Sequence, residues 1–279
     1  MLSVEADRPT AALDPPASIR PFLAARGGDI RLRYRERKPA RVAQGERLFD
    51  SGGVWRVERK GARLVYSFRV ENRRPALYKA VSIDAALRSG RLDFDAAASG
   101  PRYALDYPLD ELLFQHRLAR DGAVEVHACG VVWRGRALVF CGRSGAGKST
   151  TARLWRRHAK GARLLSDDRL ILRPGRRGAR VYGTPWHGDG GFASPGSAPL
   201  AALFFLRHGA STWLHPLSRG EAAARLFTRS FPPPWDREGV ARALDACADA
   251  AGLAPAFELS FRPDRGAVLA VQQAARALA

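Results

Sequence analysis

Between residues 29 and 94 apolar and polar side chains alternate. Asp29-Ile-Arg-Leu-Arg-Tyr, Val54-Trp-Arg-Val-Glu-Arg and Ala62-Arg-Leu-Val-Tyr-Ser-Phe-Arg-Val each keep a period of two, which puts one face of a strand on a core and the other in water. Turn signals at Ser51-Gly-Gly, Lys60-Gly and Glu71-Asn separate these runs. They predict a mainly antiparallel sheet. Residues 108–119 change to helical spacing, with Asp110 and Glu111 in the first turn, where carboxylates favour the helix dipole. A strand is predicted at 124–129, and 136–141, unbroken in apolar residues after Arg136, reads as a buried strand. Further strands are predicted at 164–172, 180–182, 200–206 and 257–261, and helices at 150–157, 219–227, 237–251 and 266–278. Three regions follow: a loose Pro/Ala/Arg-rich lead-in at 1–28, a smaller β-rich region with a connecting helix at 29–120, and an α/β domain at 121–279. No internal repeat is evident.

The strand at 136–141 runs into Gly142-Arg143-Ser144-Gly145-Ala146-Gly147-Lys148-Ser149, followed by Thr150 and a helix. This is the phosphate-binding loop pattern in its strand-loop-helix setting, a far more specific signal than the glycines alone. The glycines let successive backbone N–H groups turn inward around phosphate oxygens. The helix N-terminus adds positive potential at the same point. Lys148 is expected on the terminal phosphates and Ser149 on Mg²⁺, with the whole run 142–150 as the nucleotide site.

Composition narrows the setting. At 279 residues, 46% hydrophobic, the chain can bury a sizeable core. A mean hydropathy of −0.25 and the lack of any apolar run near bilayer length lead to the expectation of a cytoplasmic protein without a membrane partner. Cys129, Cys141 and Cys247 show no paired or zinc spacing and read as buried free thiols. The net charge of +19 invites a nucleic-acid reading. Only five of the 46 basic residues are lysines, however, and the arginines are spread along the chain. Basic clusters at 31–38 and 153–163 are short and lack interleaved aromatics or a reader motif, which disfavours nucleic acid and leaves an acidic or phosphorylated partner compatible.

A triphosphate also needs carboxylate chemistry. Asp167 and Asp168 lie inside the apolar run Leu164-Leu-Ser-Asp-Asp-Arg-Leu-Ile-Leu, so the pair is expected on the strand neighbouring the loop strand, facing the γ-phosphate. Together, Val126-His127-Ala-Cys-Gly130-Val-Val, the phosphate loop and Ser166-Asp167-Asp168-Arg169 resemble the HPr kinase/phosphorylase catalytic domain, whose fold is shared with the core of phosphoenolpyruvate carboxykinases. The resemblance is strong over about residues 120–210. The stretch Tyr182-Gly-Thr-Pro-Trp-His187-Gly-Asp189-Gly, with the apolar run from Pro199, looks like the kinase-like offshoots beside peptide-modification genes, some of which phosphorylate a serine of a lasso-peptide precursor.

The resemblance implies an α/β phosphate-loop kinase domain of the HPr kinase/carboxykinase type, using ATP and Mg²⁺. It implies Asp167 as the base on the substrate hydroxyl, Asp168 at the metal, His127 near both, and His187 and Asp189 beside the acceptor. Thr150 stands where an acidic residue commonly follows the loop Lys-Ser, and no Glu-x-Arg-Gly follows Asp168, so neither reversible chemistry nor HPr as substrate is implied. The expected activity is transfer of the γ-phosphate to a hydroxyl, foremost a serine of a peptide or protein. A kinase of free serine or another metabolite, a carboxykinase-like enzyme and a regulatory ATPase are the alternatives. Acceptor, nucleotide preference and homo-oligomerisation are open at this level.

Overall fold

The computed structural model describes residues 2–25, 27–40, 45–70, 76–100 and 102–278. The fold is mixed α/β, with two sheets and six α-helices among the described residues. The chain divides into two compact units, Met1–Arg117 with Pro234–Asp236, and Leu118–Pro233 with Arg237–Ala279.

The first unit holds a seven-stranded sheet. Its strands are β1 (Leu2–Ala6), β2 (Ile30–Glu36), β3 (Glu46–Asp50), β4 (Trp55–Lys60), β5 (Arg63–Arg69), β6 (Leu77–Asp84) and β7 (Ser89–Phe94), in the order β1-β2-β7-β6-β5-β4-β3. β1–β2 and β2–β7 are parallel, and the other neighbours are antiparallel. The lead-in therefore contributes an edge strand, because Leu2 and Val4 pack on the core beside β2. The turn expected at Glu71-Asn72 lies outside the described residues.

The period-two pattern decides which face is covered. Ile30, Leu32 and Tyr34 of β2, Leu64, Tyr66 and Phe68 of β5, and Leu92 and Phe94 of β7 enter one core with Leu109, Leu112 and Leu113 of α2 (Leu109–Arg120). A four-residue helix, α1 (Ala96–Ser99), is capped by the Asp95 side chain on Ala98 N.

Trp235 belongs to this core. Its ring meets Phe49, Trp55 and Tyr66 at centroid separations of 5.9, 5.5 and 6.0 Å. Its Nε1–H donates to His116 Nδ1 at 3.2 Å, and the Tyr66 hydroxyl lies 2.7 Å from the same nitrogen. An indole N–H can only donate, so Nδ1 is an acceptor and the ring proton sits on Nε2, which donates to Asp236 Oδ2 at 2.9 Å.

Lys79 is fully buried on this side as well. Its ammonium pairs with Asp106 and lies 4.9 Å from the Phe68 ring centroid. Burial pulls its pKa below the ordinary lysine value, against the opposing pull of Asp106.

The second unit holds the eight-stranded sheet: β8 (Val124–Trp133), β9 (Arg136–Cys141), β10 (Arg163–Ser166), β11 (Arg169–Arg173), β12 (Arg180–Gly183), β13 (Ser197–His208), β14 (Trp213–Pro216) and β15 (Ala256–Phe261). Pairings β8–β11, β11–β12, β12–β13, β13–β9 and β9–β8 form a closed circuit, with β10 on β8 and β15–β14 on β13. β9 is buried on both faces, as its unbroken apolar sequence requires. Leu138 and Phe140 meet α3 (Lys148–His158) and α6 (Arg265–Ala277), while Val139 and Cys141 meet α4 (Arg219–Phe227) and α5 (Arg237–Leu253).

The single strand expected at 164–172 is two strands, β10 and β11, broken at Asp167-Asp168. β10 and β11 both pair with β8, so the pair does not lie on a direct neighbour of β9. The three cysteines are buried and free, and burial pushes Cys141 and Cys247 up to about 12. Among the described residues no helix is long and apolar enough to cross a membrane.

Replacing Trp235 by Ala removes the central ring of the first core and one donor to His116. Stability should fall by about 3–5 kcal/mol, read as a lower urea midpoint.

Candidate active site

β9 delivers the chain into residues 142–147 and α3 carries it away. Gly145 and Gly147 adopt φ of 78° and 100°, in the left-handed region that side chains resist. Space constrains the loop too. A Cβ on Gly142 would meet Ala146 Cβ at 2.7 Å, and one on Gly147 would meet the Phe261 ring at 2.8 Å. His208 Nε2–H donates to Gly145 O at 2.7 Å, fastening the loop to β13. Arg143, Ser144 and Gly145 are exposed, whereas Lys148 is buried and its Nζ donates to Gly142 O and Arg143 O, both at 3.1 Å. Burial lowers the Lys148 pKa, opposed mainly by the Asp168 charge and, more weakly, by Asp167.

The Asp167 carboxylate is 1% exposed and fully engaged. Oδ2 accepts from Ser149 Oγ and Gly190 N, both at 2.8 Å. Oδ1 accepts from Gly188 N at 3.0 Å and Phe192 N at 3.3 Å. The loop 187–192 thus wraps this carboxylate with backbone donors. Gly190 is required there, because a Cβ would stand 2.4 Å from Asp167 Oδ2.

Asp168, one residue on, has different company. Oδ1 lies 2.9 Å from His127 Nε2, and Oδ2 lies 3.4 Å from Arg169 Nε. β8 and β11 place His127 directly opposite Arg169. Arg169 lies over the Phe231 ring at 4.0 Å, and its Nε is 3.6 Å from Glu125 Oε1. Burial raises the Asp168 pKa, but the His127 hydrogen bond and the Arg169, His127 and Lys148 charges outweigh it and hold the carboxyl below its ordinary 3.8. Asp168 is therefore ionised at neutral pH.

The break between the strands is built by Ser166. Its hydroxyl donates to Trp186 O at 2.9 Å and accepts from Asp168 N and Arg169 N, both at 3.1 Å. Thr184 Oγ1 donates to Arg169 O at 2.7 Å from the other side. Adjacent aspartates can then present their carboxylates to different partners.

Asp167, expected as the base, accepts four hydrogen bonds, and Asp168, expected at the metal, is the partly exposed carboxylate paired with His127. The His187 and Asp189 side chains are exposed, and what their loop brings to the site is the backbone of Gly188 and Gly190. That loop also touches Asp168, since a Cβ on Gly188 would lie 3.5 Å from Asp168 Cβ. Sequence reasoning singled out no role for Ser166, Thr184, Arg169 or His208. Ser166 directly precedes the two aspartates and Thr184 lies in Gly183-Thr-Pro185, turn-forming settings that are the one local sign of their role.

These residues suit a magnesium triphosphate. The glycine cradle, the Lys148 ammonium and the Ser149–Asp167 oxygen pair are the donor types that such a ligand takes. Among the described residues no group of three or more His, Cys, Asp or Glu side chains is placed to hold a metal ion. Mg²⁺ held by one or two carboxylates and substrate phosphates needs no such group. No family model matches the chain, and no curated protein matches it.

Two outcomes test this geometry. Gly190→Ala should displace the loop from Asp167 and cost about 1–3 kcal/mol, measured by urea unfolding. Asp168 has a depressed folded pKa, so its stabilisation is complete above its ordinary 3.8 and lost as pH falls through the lower folded value. Asp168→Asn should therefore unfold more easily than wild type at pH 7, by about 1–3 kcal/mol, and the gap should close on acidification below pH 3.8. A gap unchanged down to acid would rule out the His127–Asp168 interaction.

Proposed function

We propose that the chain is an ATP- and Mg²⁺-dependent kinase that transfers the γ-phosphate to a hydroxyl, foremost a serine of a peptide or protein. This is the reading that the resemblance to the HPr kinase/carboxykinase type implies. The observation that carries it is the division of labour between adjacent carboxylates: Asp167 is 2.8 Å from the loop serine Ser149, and Asp168 is 2.9 Å from His127. A second carboxylate, ionised, partly exposed and fixed by an imidazole, suits the orientation and deprotonation of a hydroxyl acceptor.

In this mechanism the loop amides and Lys148 would hold the β- and γ-phosphates, and Ser149, its hydroxyl oriented by Asp167, would hold Mg²⁺. The metal, when bound, neutralises charge on the phosphate oxygens. Asp168 accepts the proton of the acceptor hydroxyl while that oxygen forms its bond to the γ-phosphorus and the bond to the bridging oxygen of ADP breaks. His127 keeps Asp168 in place through Oδ1, leaving Oδ2 for the hydroxyl. Arg169, stacked on Phe231, offsets negative charge beside Oδ2. The base is thus Asp168 and the metal-side carboxylate Asp167.

Transfer from γ-labelled ATP to serine peptides, with free serine as a separate arm, tests the reading. Label should appear on the peptide. Asp168→Asn should slow transfer by about 10²–10⁴-fold, and Lys148→Ala should abolish it. Release of labelled phosphate alone, insensitive to any acceptor, would overturn the kinase reading in favour of a regulatory ATPase. Label confined to free serine would move the acceptor class to metabolites.

A further inference from the structure

The face of the first sheet that turns away from its core is organised around arginine. Arg31, Arg33 and Arg35 alternate with the core residues of β2, and Arg37 continues the series, its backbone N still bonded to Phe94 O. Side chains on one face of a strand recur about every 6.6–6.8 Å. Arg91 of β7 stands directly opposite Arg33 in the ladder. Like charges directly opposite on neighbouring strands are destabilising, and Glu5 of β1, opposite Arg33 on its other side, offsets only part of that cost.

The carboxylates present do not match the guanidiniums. Asp93 lies within reach of three at once: Arg35 at 2.8 Å, Arg37 at 3.0 Å and Arg91 at 3.8 Å. Arg33 pairs with Asp7 at 2.9 Å, and both side chains are about two-thirds exposed. Arg37 and Arg91 keep nearly half their side-chain surface open, at 47% and 48%. Beside this ridge the sheet is floored by small residues. Ser67, Ala80, Asp93 and Arg35 form one cross-strand row, and Ser82 lies beside Arg91 in the next. Ser67, Ala80 and Asp93 are themselves buried, so the accessible part of this face is the row of guanidiniums.

Two polyanions repeat at this spacing, an acidic peptide and a nucleic-acid strand. Aromatic placement separates them. Single-stranded nucleic acid is held by bases stacked on exposed rings. Here Tyr34, Tyr66, Phe68 and Phe94 are all buried in the core, and the arginine rows contain Ser, Ala and Asp.

We propose that the ridge formed by Arg31, Arg33, Arg35, Arg37 and Arg91 docks an extended acidic segment, with Asp or Glu side chains at alternate positions meeting successive guanidiniums. Its occupant is a stretch of the acceptor peptide or protein. That identification rests on the kinase reading, whereas the acidic-peptide binding itself does not.

The test uses the full chain and fluorescence anisotropy. The probe is a short labelled peptide with glutamate at alternate positions around one serine, and its alternating-lysine counterpart is the control. Wild type should bind the acidic peptide and not the basic one, with affinity falling as salt rises. Arg31→Glu with Arg33→Glu should weaken binding by about tenfold or more, with circular dichroism unchanged. Arg31→Gln with Arg33→Gln decides the matter should the reversed charges disturb folding. Lys148→Ala should lose phosphoryl transfer and keep peptide binding, which separates failure of this surface from failure of the kinase reading. Equal binding of both peptides, unchanged affinity in the Gln variant, or stronger binding of a single-stranded oligonucleotide would overturn the proposal.

Discussion

The Asp167 carboxylate organises the second unit. Burying such a group without donors is expensive, and the chain supplies four. One is the hydroxyl of the phosphate-loop serine, and three are backbone N–H groups of the 187–192 loop. Each donor has a structural consequence. The loop must come close, so Gly190 carries no side chain. The strand bearing Asp167 must open, so β10 ends at Ser166 and β11 begins at Arg169. One acidic side chain thereby joins the phosphate loop, the strand break and the 187–192 loop.

Where the determinants are local, the sequence was readable. The phosphate loop is specified within eight residues, and its turn and helix follow from glycine freedom and the helix N-terminus. The alternation in β2 and β5 and the continuous apolar run in β9 likewise predict which faces are buried. The roles of the aspartates were not readable in this way. Asp167 and Asp168 are chemically identical and adjacent, and what distinguishes them comes from Gly188, Gly190 and Phe192 on one side and from His127 on the other. Strand order was hidden for the same reason. Both halves of the broken strand pair with the long β8, and nothing in 164–172 states which edge is free.

The first unit shows the same limit at Lys79. In the run Leu77-Tyr-Lys-Ala-Val the period of two is blurred, so nothing local places the lysine in the core. Its position is set by Asp106, far along the chain, and by the Phe68 ring, which together accommodate an ammonium that burial disfavours. The segment Pro234–Asp236 is similar. A proline-rich stretch carries no periodic signal, yet Trp235 completes the core and fixes the His116 tautomer.

Net charge is the coarsest of the sequence signals, and arrangement corrects it. A charge of +19 points toward polyanions in general. Within the second unit, some arginines pair with carboxylates or rings. Arg169 sits against Phe231 and Asp168, and Arg207 and Arg225 share Glu258 at 3.3 and 2.6 Å. On β2 and β7 they stand in rows with too few carboxylates and with like charges face to face. Aromatic side chains, withdrawn into the core behind those rows, then remove the stacking surface that a nucleic acid would use. What is left among the described residues is a charged row beside buried rings, and that combination suits a polypeptide's carboxylates better than a nucleotide's bases.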